Sequence, residues 1–102
     1  MSYTVQFVEG AVADLKALDP PLQQLAWKQM EKIAEAPELG KPLGQQMGYD
    51  LTGLRTIRFC RQVYRVVYEF FEEEGIVKVW GIGKREREEI YRAVAHRRVE
   101  RP

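Results

Sequence analysis

One cysteine and one histidine in 102 residues leave little with which to build a metal centre, and no second thiol for a disulfide. Cys60 reads as a small apolar residue near a strand end, and His96 as a surface side chain in the basic tail Ala95-His96-Arg97-Arg98. No apolar run approaches the roughly 20 residues that span a bilayer. The opening stretch Ser2 to Glu9 is too short and too regularly alternating for a signal peptide. A soluble cytoplasmic protein with no membrane partner is expected. The loop glycines do not form a GxxxxGKS/T motif, and Gly81-Ile82-Gly83-Lys84 lacks the rest of a dinucleotide fingerprint. No cofactor and no metal are therefore expected. Arginine, finally, is missing from the first 54 residues.

That last gap makes the charge uneven. Residues 1–50 hold four lysines against seven acids, a balance of −3, and residues 51–102 hold twelve cations against eight acids, a balance of +4. Ten of those twelve cations are arginine. A guanidinium is a planar fork that grips phosphate at two points and stacks on bases, whereas an ammonium is a mobile point charge. An anionic partner for the second half is a first reading; arginines lining solvated strand and helix faces fit the composition equally well.

Periodicity supplies the fold. Ser2 to Val8 alternates, with Tyr3, Val5 and Phe7 on one side, and predicts a strand. Ala11, Val12, Leu15 and Leu18 share one face of a helix over Glu9 to Leu18. Asp19-Pro20-Pro21 ends that helix and begins another, with Asp19 as cap and Pro20 preset for the first turn. Leu22, Leu25, Ala26, Met30 and Ile33 give the second helix its stripe, flanked by Trp27. Prolines and glycines predict a turn-rich connection over residues 36–52. Strands follow at about 54–60, 63–71 and 76–82, joined by Arg61-Gln62 and by Glu72-Glu73-Glu74-Gly75. Such short connections require antiparallel neighbours.

Lys84 to Arg98 reads as a closing helix with Ile90, Val94 and Tyr91 in its packing stripe. Lys84–Glu88, Arg85–Glu89 and Glu88–Arg92 would be its i,i+4 pairs. The order βααβββα predicts an α+β fold, one domain over residues 1–102, with a helical hairpin packed on an antiparallel sheet. Tyr64, Val66, Tyr68 and Phe70 share one sheet face, so Arg58 and Arg65 project from the other unless a bulge intervenes. His96, five residues past Tyr91, lies more than about 120° away around a helix and is not expected to join it.

Four stretches carry a family resemblance. Leu15-Lys16-Ala17-Leu18-Asp19, Pro37-Glu38-Leu39-Gly40-Lys41-Pro42-Leu43, Tyr64-Arg65-Val66-Val67-Tyr68, and Ile82-Gly83-Lys84-Arg85-Glu86 continuing through Tyr91 resemble, in order, the RelE/ParE toxin superfamily. The last stretch looks like the RelE branch. The resemblance implies a bacterial toxin that enters the ribosomal A site and cuts mRNA, neutralised by a cognate antitoxin, with DNA met only through that antitoxin. By resemblance Arg58, Arg65, Arg85 and Tyr91 match the catalytic positions, and Arg55, Arg61, Lys84 and Arg87 are expected to contact RNA. One position departs: where the RelE pattern has a basic residue two before Arg58, this chain has Thr56.

The implied reaction needs no metal. The RNA 2′-hydroxyl attacks the adjacent phosphorus, leaving a 2′,3′-cyclic phosphate and a 5′-hydroxyl, while the enzyme accepts one proton, stabilises the phosphorane and supplies another proton. Arginines suit the charge and Tyr91 the base, since nearby cations favour phenolate. The resemblance assigns the leaving-group proton to Arg85, with water or a ribosomal group as alternatives. Two other classes of function remain: a ParE-like inhibitor of DNA gyrase that acts by binding alone, and a degenerate member that only binds its antitoxin, which Thr56 encourages.

Overall fold

The computed structural model describes residues 2–46 and 48–100. The elements are β1 (Thr4–Phe7), α1 (Glu9–Ala17), α2 (Pro20–Glu35), β2 (Lys41–Pro42), β3 (Gln45–Gln46), β4 (Tyr49–Asp50), β5 (Arg55–Phe59), β6 (Tyr64–Phe71), β7 (Ile76–Lys84) and α3 (Glu89–Glu100), with 3-10 turns at Pro37–Leu39 and Glu86–Glu88. The main sheet has the strand order β1-β7-β6-β5-β2, and β3 and β4 form a small separate hairpin. The result is the expected α+β arrangement.

The short connections make β5, β6 and β7 antiparallel neighbours. β1 joins the outer edge of β7 in parallel, Val5 opposite Val77 and Phe7 opposite Val79, a pairing that alternation within β1 does not specify. The other edge lies inside the segment expected to be a turn-rich connection. There Lys41 and Pro42 pair with Thr56 and Arg55. Proline is tolerated because an edge strand has one side on which no N–H is required.

The α1–α2 hairpin covers one face. Ala11, Ala26, Met30 and Ile33 meet Phe59, Val66, Tyr68, Val77, Val79 and Ile82 in one core. Each fully buried side chain of Ile or Met size contributes about 1.5–3 kcal/mol. Leu25 and Trp27, placed by periodicity on or beside the buried stripe, are 37% and 46% exposed. Trp27 instead meets Phe7 edge to face at 5.8 Å. Asp19 occupies the N-cap of α2 without a side-chain cap bond, and Pro20 takes the first turn as expected. Gln23 makes the junction's polar contacts, its Nε2 donating to the carbonyls of Leu18 at 3.0 Å and Leu15 at 3.1 Å. Those carbonyls lie at the end of α1, where helical partners run out.

The opposite face carries α3. Leu43, Leu51, Leu54, Val67, Trp80, Ile90, Tyr91 and Val94 form this second core. Its geometry depends on a bulge in β7: Val67 pairs with Gly81 and Tyr68 with Val79, leaving Trp80 as the extra residue. The bulge resets the alternation, so Val77 and Val79 but also Ile82 face the hairpin while Trp80 faces α3. Gly81 sits directly beneath the helix. A Cβ there would lie 2.8 Å from both Ile90 Cδ1 and Val94 Cγ2, so only glycine permits this approach.

β7 runs past the end of β1, and its free edge is closed by side chains. The Ile82 amide donates to Asp14 Oδ2 at 3.0 Å, while Arg97 donates to the Trp80 carbonyl at 2.9 Å and to both Asp14 oxygens at 2.8 and 3.0 Å. Arg97, read from sequence as part of a basic tail, therefore ties α3 to β7 and α1.

Candidate active site

Three local departures from regular structure bring the chemistry-bearing residues together. The first is the β5–β6 turn, where Cys60, Arg61 and Gln62 all take positive φ of 52°, 57° and 69°. Left-handed backbone costs a non-glycine residue roughly 1–2 kcal/mol, so three in succession mark a turn held by its surroundings. Its hydrogen bonds show what it holds. Arg58 Nη1 donates to Gln62 Oε1 at 2.9 Å, Arg65 Nη1 donates to the Gln62 carbonyl, and the Arg85 amide donates to the Val63 carbonyl at 3.0 Å. One turn thus contacts all three arginines.

The second departure corrects the closing helix. β7 continues to Lys84 and α3 begins only at Glu89, because Arg87 and Glu88 have φ of 55° and 58°. The pairs Lys84–Glu88 and Arg85–Glu89 are consequently not helical pairs; the exposed Arg85 instead lies 3.9 Å from the half-buried Glu88. The correction matters for function. Six residues apart on one helix, Arg85 and Tyr91 would point about 120° apart. With the chain broken between them, both reach the same cleft.

The third is the edge strand β2. Lys41 lies directly opposite Thr56, and directly opposed residues project from the same face. The approach of the chain to β2 is fixed from beneath: the Tyr68 hydroxyl donates to the Pro37 carbonyl and accepts from the Gly40 amide at 2.8 Å. A Cβ on Gly40 would lie 2.2 Å from that hydroxyl oxygen, so glycine is required. Burial raises the Tyr68 phenol above its usual range, partly offset by the Gly40 amide and the Arg55 charge.

The cleft so formed, about 320 Å³, is lined by Lys41, Pro42, Leu43, Thr56, Arg58, Arg65, Arg85 and Tyr91. Four cations face it, and among the described residues no carboxylate lines it. Arg65 is 8% exposed and Tyr91 4%, so the sheet and the second core hold both. Arg58 and Arg85 are exposed and complete the rim. Thr56 Oγ1 is buried without a hydrogen-bond partner. An arrangement of this kind binds a phosphodiester and stabilises added negative charge on it. Among the described residues no group of three or more His, Cys, Asp or Glu is placed to hold a metal.

The four residues expected at the centre, Arg58, Arg65, Arg85 and Tyr91, all line the cleft. The four expected to contact RNA lie outside its lining. Arg55 lies on the hairpin face, its guanidinium 5.5 Å from the Phe70 ring centroid and donating to the Gly40 carbonyl at 2.7 Å. Lys84, opposite Tyr64 in the register, also projects from that face. Arg61 and Arg87 are exposed at the two left-handed breaks. The residue that periodicity missed is Lys41. Its one signal is Pro42, which biases the preceding residue toward extended backbone.

A family model described as the ParE toxin of type II toxin–antitoxin systems, parDE, matches residues 5–89. The chain belongs to the RelE/ParE toxin superfamily. This RelE-like toxin is 30% identical to the mRNA interferase toxin RelE of Escherichia coli strain K12, over 89% of this chain and 92% of the relative. Free E. coli RelE carrying two arginine-to-alanine substitutions matches it with a TM-score of 0.75 at 26% identity, covering 95% of this chain and 98% of that one. The toxin–antitoxin complex RelBE2 of Mycobacterium tuberculosis matches with a TM-score of 0.68 at 27% identity, covering 83% and 100%. The ParE match stops two residues before Tyr91, so it spans the arginines of the cleft but not its phenol. Among the described residues no helix of this toxin is long and apolar enough to cross a membrane.

Proposed function

We propose that this toxin is an endoribonuclease that cuts mRNA in the ribosomal A site, acting as a single domain in the cytoplasm and held in check by an antitoxin. The observation that carries the reading is the cleft itself: Arg58, Arg65 and Arg85 around the phenol of Tyr91. The arginines bind the scissile phosphate and stabilise the phosphorane. Tyr91, as phenolate, takes the 2′-hydroxyl proton. The reaction is metal-independent, because a cationic lining repels a divalent ion while supplying the same charge stabilisation. The names of the RelE relatives support the same reaction class.

The ribosome enters through chemistry and charge. Ribosomal RNA attracts an arginine face, and a ribosome-bound codon is presented in a fixed geometry that free RNA lacks. Cleavage of free RNA is therefore weak or absent. The ParE family match favours a second reading, inhibition of DNA gyrase by binding alone. It assigns no chemical use to a phenol beside three guanidinium groups.

Primer extension on mRNA translated in a purified system, with and without ribosomes, tests the proposal. The expected result is ribosome-dependent cuts within codons, abolished by Arg65→Lys, which keeps the charge but loses the planar fork. Intact mRNA, with growth arrest persisting in cells, would move the case to gyrase.

A further inference from the structure

The reading above leaves the leaving 5′-oxygen without a good proton donor. A guanidinium holds its proton far more tightly than an alkylammonium does. Lys41 is the one ammonium lining the cleft. It stands opposite Thr56 in the β2–β5 pairing, on the same sheet face as Arg58 and Arg65. Thr56 is short and its buried Oγ1 has no partner, so neither a charge nor a hydrogen bond at that position competes with the ammonium. The Lys41 side chain is exposed, while the backbone just before it is anchored twice, by Tyr68 at the Gly40 amide and by Arg55 at the Gly40 carbonyl. A fixed root under a flexible four-carbon stem suits proton delivery to an oxygen that moves as its bond breaks.

We propose that Lys41 is a catalytic residue, the general acid that protonates the leaving 5′-oxygen; the proposal rests on the nuclease reading and deepens it. As the O2′–P bond forms and the P–O5′ bond breaks, the 2′-hydroxyl proton passes to the Tyr91 phenolate oxygen and a proton from Lys41 Nζ passes to O5′. The products are a 2′,3′-cyclic phosphate and a 5′-hydroxyl. Tyr91 ends protonated and Lys41 neutral, and proton exchange through water restores both. The cation on β2 thereby stands directly across from Thr56, the position where the RelE pattern has a basic residue.

The test compares two ribosome-bound mRNAs, one with an ordinary linkage in the A-site codon and one in which the bridging 5′-oxygen is sulfur. A thiolate leaves without protonation. Lys41→Ala and Lys41→Arg should each slow the ordinary cut about 10²–10⁴-fold, the usual worth of a general acid. Both should cut the sulfur-bridged mRNA within a few-fold of wild type. Arg85→Ala, which removes charge stabilisation, should be slow on both. Equal losses on the two substrates for the Lys41 variants, no loss on either, or sulfur rescue of Arg85→Ala would overturn the assignment. Wild-type protein cutting neither substrate would sink the nuclease reading itself.

Discussion

On the hairpin face of the sheet, side chains follow the strand period from Val5 and Phe7 through Tyr64, Val66 and Tyr68, and an apolar helical stripe meets them. On the α3 face the same sheet carries a bulge at Trp80, a buried arginine and an unpartnered Thr56 hydroxyl, and the connections bordering the cleft hold left-handed residues at Arg61, Gln62, Arg87 and Glu88. The first face is made of choices that agree with one another from local propensity to core. The second breaks local preference wherever a cation must be turned toward the cleft. Strain stored beside a functional site, and offset by a well-packed core elsewhere, is the expected division.

That division separates stability from activity, and variants on each face should show it. The largest effect belongs to Tyr91→Phe. Removing only the hydroxyl should lower mRNA cleavage about 10²–10⁴-fold, with a denaturation midpoint close to that of wild type. Ile33→Ala, in the hairpin core and 0% exposed, should do the opposite. It should cost about 2–5 kcal/mol in urea unfolding, with cleavage per folded molecule unchanged. Arg97→Ala removes the ion pair to Asp14 and the hydrogen bond to the Trp80 carbonyl in a partly exposed site, and should cost about 1–3 kcal/mol. Hydrogen exchange should locate that loss in α3 and at the Ile82 amide.

Tyr68 gives a pH signature. Its folded-state phenol is raised by burial, so its contribution is fully present below the unfolded pKa of about 10 and is lost as pH rises further, because the unfolded chain then releases a proton that the folded chain retains. Wild-type stability should fall above about pH 10 with a component missing from Tyr68→Phe. The variant should also lose about 1 kcal/mol at neutral pH with its hydrogen bonds to Pro37 and Gly40. The smallest effect sharpens the comparison most. Gln62→Gly relieves a left-handed φ and should raise stability by about 0.5–1 kcal/mol, yet lower cleavage severalfold by freeing the Arg58 side chain.

The legibility of the chain follows the same division. Alternation in β6 placed Arg65 opposite Tyr64 and Tyr68 correctly because β6 itself runs without an extra residue; the bulge sits across from it, in β7. The α1–α2 hairpin was readable from Asp19-Pro20-Pro21, although Leu25 and Trp27 show that a stripe wider than its groove leaves members outside. The start of α3 was misplaced for a physical reason. Lys84 through Arg92 carries helix-forming charges at helical spacing, and nothing local reveals that Arg87 and Glu88 turn left-handed under the tertiary contacts of Arg85 and Ile90. β2 is two residues long, too short for any period to mark Lys41, and Arg55, Arg61, Lys84 and Arg87, expected to contact RNA, lie outside the cleft lining. The core of the site came from the resemblance together with β6; its fourth cation came only from strand pairing.

The central claim is that this cleft directs an RNA 2′-hydroxyl against its own phosphate, and the chemistry of the cut ends tests it most directly. Ribosomes programmed with a short mRNA should yield, on adding the wild-type toxin, a 5′ fragment ending in a 2′,3′-cyclic phosphate and a 3′ fragment beginning with a 5′-hydroxyl, and a single 2′-deoxynucleotide at the cut should stop the reaction. Efficient cleavage of the deoxy-substituted codon, or an intact mRNA beside an inhibited gyrase, would contradict the account.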